Sequence, residues 1–104
     1  KSSRPTIVFA HHRLDVGGSY GVKSAVKVRK ILEDSSRVLA VFQGHNHVND
    51  HKLIGGVHYV TLAALIEGAA AKGNNAWSVL EVYPGGVLKL DGFHHQEDYS
   101  LAAD

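Results

Sequence analysis

The chain alternates short apolar runs with polar breaks, and the spacing of the apolar positions changes along it. Thr6-Ile7-Val8-Phe9-Ala10 is a continuous β-branched and aromatic run, the pattern of a strand covered on both faces. From Val22 to Glu33 the apolar positions are Val22, Ala25, Val26, Val28, Ile31 and Leu32, which predicts a helix with a buried stripe. Lys23, Lys27, Arg29 and Lys30 fall largely on its other side and are most simply a solvated face. After Asp34-Ser35-Ser36, Arg37 to Phe42 predicts the next strand. Strand, helix, strand over this length is a βαβ unit, whose two strands are expected to run parallel.

Two hairpins are expected beyond it. His51 to Ile54 and Val57 to Leu62 flank Gly55-Gly56, and glycine at both central positions suits the positive φ of a tight turn. Ala76 to Tyr83 and Val87 to Phe93 flank Pro84-Gly85-Gly86. Between the hairpins, Ala63 to Asn75 is broken by Gly68 and Gly73-Asn74-Asn75 and predicts a loop with at most a helical turn. Arg13 to Gly21 predicts another loop. Its Gly17-Gly18-Ser19 lacks the Gly-Lys-Ser/Thr ending of a phosphate cradle, and Asp15 is a candidate carboxylate near the strand ends that reads more simply as a solvated loop acid. The fold class is therefore α/β (or α+β), one βαβ unit followed by two β-hairpins.

Composition narrows the function. A chain of 104 residues makes one domain at most. A formal net charge of +1 supplies no patch for nucleic acid, which needs a concentrated basic surface. No run approaches the roughly 18 apolar residues of a membrane span. Cysteine is absent, which excludes disulfides and thiolate metal sites. Methionine is absent too, even at position 1, and Lys1 to Pro5 leads directly into a strand. The chain is read as cut from something longer.

The eight histidines are the departure from ordinary usage. Ala40-Val41-Phe42-Gln43 stops at Gly44 and presents His45 and His47; in extended backbone such i, i+2 residues share a face about 6.6 Å apart. His11-His12 follows the first apolar run in the same way. Ligands in open α/β sheets bind at the carboxyl ends of the strands, so parallel strands would carry both pairs to one rim. A lone His-x-His at a strand end is ordinarily a surface feature, and the second pair is what suggests a site. His51, His58, His94 and His95 read as structural or surface histidines.

These residues carry a family resemblance. Gly44-His45-Asn46-His47 resembles the Gly-His-x-His signature of calcineurin-like metallophosphoesterases, and Val8-Phe9-Ala10-His11-His12 resembles their preceding strand-histidine block. Val57 to Leu62 and Ala76 to Tyr83 resemble the strands that follow that signature. The resemblance covers nearly all of this chain but only the last part of the family's catalytic domain. It implies that residues 1–104 are a single partial domain, a fragment of a metallophosphoesterase β-sandwich.

The resemblance also implies two divalent metal ions, Mn, Fe or Zn. His11 and His45 would bind one and His47 the other, with His12 lining the substrate pocket and Asn46 given no role. Paired cations of this kind lower the pKa of bound water and neutralise charge on the attacking and leaving oxygens. The parent protein would hydrolyse a small phosphoester substrate. The family's acidic blocks, Asp-x-His, Gly-Asp-x-x-Asp and Gly-Asn-His-Asp/Glu, are not found here, so the isolated chain is expected to be inactive. Strand edges and apolar faces left by such a cut are expected to drive self-association into a homo-oligomer. The alternative is a noncatalytic α+β binding or scaffold module with scattered, incidental histidines.

Overall fold

A computed structural model of the chain describes residues 4–18, 21–67 and 75–102. The βαβ unit is present: β1 (Thr6–Phe9), α1 (Ala25–Asp34) and β2 (Val38–Gln43). β3 (Asp50–Ile54) and β4 (Val57–Thr61) form the first hairpin, and β5 (Trp77–Tyr83) and β6 (Val87–Phe93) the second. The paired glycines at 55–56 and 85–86 all have positive φ, the conformation these turns require.

Four strands build one sheet in the order β1-β2-β4-β3, with β2 parallel to both β1 and β4, and β3 antiparallel to β4. A second sheet is antiparallel, in the order β5-β6-β7, where β7 is Tyr99–Leu101. This last strand is not foreseen in the sequence. It has three residues among polar neighbours, too few to show a period, and its pairing with β6 buries Leu101 against Leu88.

Alternation along β2 and β4 explains how the layers pack. Ala40, Phe42 and Val60 face the second sheet and join Leu88, Leu90 and Leu101. Val41 and Tyr59 point the other way, onto Leu14 and the α1 residues Val28 and Leu32. β2 and β4 are thus covered on both faces, which is why β2 is apolar at every position before Gln43 and β4 carries Val57, Tyr59 and Val60.

The helix departs from its predicted form in two respects. It begins at Ala25 rather than Val22, because the Val22 N–H is held by the Arg13 carbonyl at 3.1 Å. Val26 and Ile31 are not buried but 72% and 68% exposed. Ala25, Val28 and Leu32 lie within an arc of about 60° at 100° per residue, and they are the apolar residues of α1 that are buried or half-buried. In the loop expected at 63–75, residues 63–67 contain no helix, and the rest of it, up to Asn74, lies outside the described residues. Ser19, at the end of the Gly-Gly-Ser stretch, does too.

Candidate metal site

The site sits where β1 and β2 end side by side. Their ladder continues past the strands: the Ala10 N–H donates to the Phe42 carbonyl and the Gly44 N–H to the His11 carbonyl, both at 3.0 Å. That last bond sets the backbone of His11 next to that of His45. His45 and His47 both have left-handed backbone, φ 76° and 57°, a conformation that disfavours side-chain-bearing residues and persists only where the surroundings impose it. The motif glycine itself is not under that constraint. A Cβ on Gly44 would meet only the His11 carbonyl oxygen, at an ordinary 3.8 Å.

Three imidazoles converge here. His11 Nε2 and His45 Nδ1 are 3.0 Å apart, and one nitrogen from each of His11, His12 and His45 lies within 4.8 Å of the others. Their ring centroids are 4.4 to 5.0 Å apart. His11 and His12 are exposed and His45 half-buried. Desolvation holds the His45 imidazole below the usual histidine range, and His12, His11 and His47 push the same way. Neutral imidazole is the form that ligates a metal ion.

His47 takes a different direction. It lines the same open pocket of about 450 Å³ as His11 and His45, whose apolar walls include Phe9, Phe42 and Leu62. Its Nδ1 is 2.6 Å from Glu67 Oε2, and it is not part of the imidazole group. Asn46, between the two motif histidines, has a buried Oδ1 with no hydrogen-bond partner, an oxygen that a water or a cation would satisfy.

Beneath the rim lies a buried polar network that the sequence does not announce. Asp15 is not a solvated loop acid. Its carboxylate is fully buried, accepts from Arg13 Nη2 at 2.6 Å and from Gln43 Nε2 at 2.6 Å, and has Lys52 Nζ at 3.5 Å. Burial pushes the Asp15 carboxyl up, but the hydrogen bonds from Arg13 and Gln43 and the charges of Arg13 and Lys52 outweigh it and hold it below its usual value. Arg13 reaches on to Asp50 Oδ2 at 2.7 Å. Gln43 also accepts from the Leu14 N–H and donates to Thr61. The network ties the loop bearing Arg13, Leu14 and Asp15 to β2, β3 and β4, directly under the histidine-bearing ends.

The remaining histidines are elsewhere. His51 and His58 pair on the β3–β4 hairpin, and His94 and His95 are exposed. His95 is tied by its carbonyl to Asn49 Nδ2 at 2.6 Å.

As a donor set, the group suits a cation of the Zn, Fe or Mn kind from its nitrogen side. Among the described residues, the metal-capable group contains no carboxylate, and Asp15 is already committed to Arg13. Residues that could bridge a second cation are therefore not in this group.

No protein-family model matches the chain, and no curated protein matches it. Its fold is similar to that of a solved structure of a dimetal phosphatase from Danio rerio, with a TM-score of 0.83 at 18% identity over 96% of this chain. The chain spans 32% of that protein's length. The mixed α/β architecture, with its two sheets and small helix, is thus that of a dimetal phosphatase fold.

Proposed function

We propose that this chain is the histidine-bearing part of a metal-dependent phosphoester hydrolase, with His11 and His45 ligating one divalent ion and His47 the other. The observation that carries this reading is the 3.0 Å approach of His11 Nε2 and His45 Nδ1, two residues separated by 34 positions and delivered by parallel strands to one rim. A module with incidental histidines gives no reason for that meeting. When bound, the metal pair would supply a nucleophilic hydroxide and charge neutralisation at phosphorus. The residues of this chain would orient the cations from their nitrogen side, and the apolar walls Phe9, Phe42 and Leu62 would shelter a small phosphoester. The bridging carboxylates would come from another segment, and residues 1–104 would form a partial catalytic domain, inactive alone.

The test has two arms. The isolated chain, supplied with Mn²⁺ and nitrophenyl phosphate, is expected to show no turnover. A longer polypeptide that joins this chain to its preceding coding segment is expected to turn over and to lose at least a hundredfold on His45→Ala. Turnover by the isolated chain refutes the inactive-fragment claim. Unchanged turnover in the long His45→Ala protein refutes the hydrolase role.

A further inference from the structure

We propose that this chain by itself binds one divalent cation of the zinc class, in a mononuclear site made by His11, His12 and His45. The inference rests on the reading of this rim as metal-binding. It goes beyond that reading in the number of ions, in the ligand set and in needing no other polypeptide.

Three observations converge on it. Four-coordinate zinc with Zn–N of about 2.0–2.1 Å places neighbouring nitrogens about 3.3 Å apart. His11 Nε2 and His45 Nδ1 already stand at 3.0 Å, so one edge of that tetrahedron is nearly formed. The other nitrogen gaps are at most 4.8 Å, and His12 is exposed, so rotation of its side chain can close them. The three ring centroids form a near-equilateral triangle of 5.0, 4.9 and 4.4 Å, close to the roughly 5 Å expected of three imidazoles on one tetrahedral ion.

Backbone geometry explains why adjacent His11 and His12 both contribute. Successive residues of a strand point to opposite faces, but β1 ends at Phe9 and the chain bends at His11 and His12. Their rings meet edge to face at 86°. His45 is brought in by its left-handed φ of 76° and by the Gly44 to His11 backbone bond. His47 stands outside the group of converging nitrogens; its Nδ1 faces Glu67 at 2.6 Å, an arrangement that leaves Nε2 for a different ion.

Three neutral imidazoles leave the fourth position to water, the open arrangement of a His₃ zinc site. Such a site would load its cation before any carboxylate arrives.

The experiment titrates the tag-free chain with Co²⁺ and Zn²⁺ near pH 7.5, reading the visible cobalt spectrum and the heat of zinc binding. One cation per chain with a four-coordinate cobalt spectrum is expected. His12→Ala and His45→Ala should each weaken binding at least tenfold, while a change at exposed His94, His94→Ala, alters it less than twofold. Circular dichroism of each variant checks that the fold is kept. Exposed His12 is the least demanding of these positions, so its variant alone keeps the proposal testable if His45→Ala unfolds. Binding that survives His12→Ala and is lost in His47→Ala overturns the ligand set, and no binding overturns the site. Either failure leaves the hydrolase reading standing, since that reading draws carboxylates from elsewhere and is judged by turnover of the longer protein.

Discussion

His51 Nε2 and His58 Nδ1 stand 2.9 Å apart, while the other nitrogen of His58 lies 2.7 Å from the Ala102 carbonyl. A carbonyl only accepts, so His58 Nε2 carries the proton and its Nδ1 accepts from His51. The chain of bonds links the first hairpin to the segment after β7.

A pH dependence follows from this pair. Burial holds His51 below the usual histidine value of 6.5, His58 pushes it the same way and Asp50 opposes. The unfolded chain thus binds the proton more readily than the folded one. The stability contributed by the neutral ring is complete above about pH 6.5 and is lost as pH falls through the lower folded value. The thermal midpoint should drop between pH 7 and pH 5, and His51→Gln should flatten that slope. An identical slope in the variant would count against the assignment.

The Arg13–Asp15 pair is the most demanding feature under the rim. Removing one partner of a buried ion pair costs about 3–5 kcal/mol when the other is left uncompensated; Arg13→Met leaves the fully buried Asp15 carboxylate with Lys52 at 3.5 Å as its counter-charge, whereas Asp15→Ala leaves Arg13 with Asp50 at 2.7 Å. Arg13→Met should therefore destabilise the fold by about 3 kcal/mol in chemical denaturation and Asp15→Ala by less. The double change Arg13→Met with Asp15→Leu should recover part of the loss, because it removes both charges together.

Glycines separate by what surrounds them. A Cβ on Gly92 would sit 2.2 Å from the Gln96 carbonyl oxygen and 2.7 Å from that of Glu97, both backbone atoms. Gly92→Ala should displace the 94–98 loop and cost about 1–3 kcal/mol. Gly44→Ala meets only the His11 carbonyl oxygen at 3.8 Å and should change stability by about 0.5 kcal/mol or less. Comparing the two denaturation midpoints checks this ordering, which runs opposite to what the motif glycine suggests.

Among the described residues, β1 and β5 are edge strands, and Phe9 beside the site is 71% exposed. Trp77 and Phe93 stack at 4.1 Å on the second sheet, and both are exposed. Open edges with apolar side chains recruit further chains. Sedimentation should reveal self-association that weakens in Phe9→Lys, whereas a strict monomer at high concentration would speak against it.

Much of the frame was legible in the linear pattern. The apolar runs before His11 and Gly44, the helix between them and both glycine turns fall within a few residues of the observed elements, because each is fixed by local period or local φ. Val26 and Ile31 belong to the apolar stripe yet are exposed, because a stripe in sequence does not reveal how wide an arc the sheet will cover. The burial of Asp15 is not legible locally, since its partners Gln43 and Lys52 come from strands 28 or more residues away.

At the site the division is sharper. Sequence alone determined that two strands would end in histidine, since apolar runs and the residues that stop them are written consecutively. Only tertiary structure decided that His12 would stand with His11 and His45 while His47 turned to Glu67. Those choices depend on the register of β1 against β2, on a bend after Phe9 and on left-handed backbone at 45 and 47, and each is imposed by contacts between residues far apart in the chain.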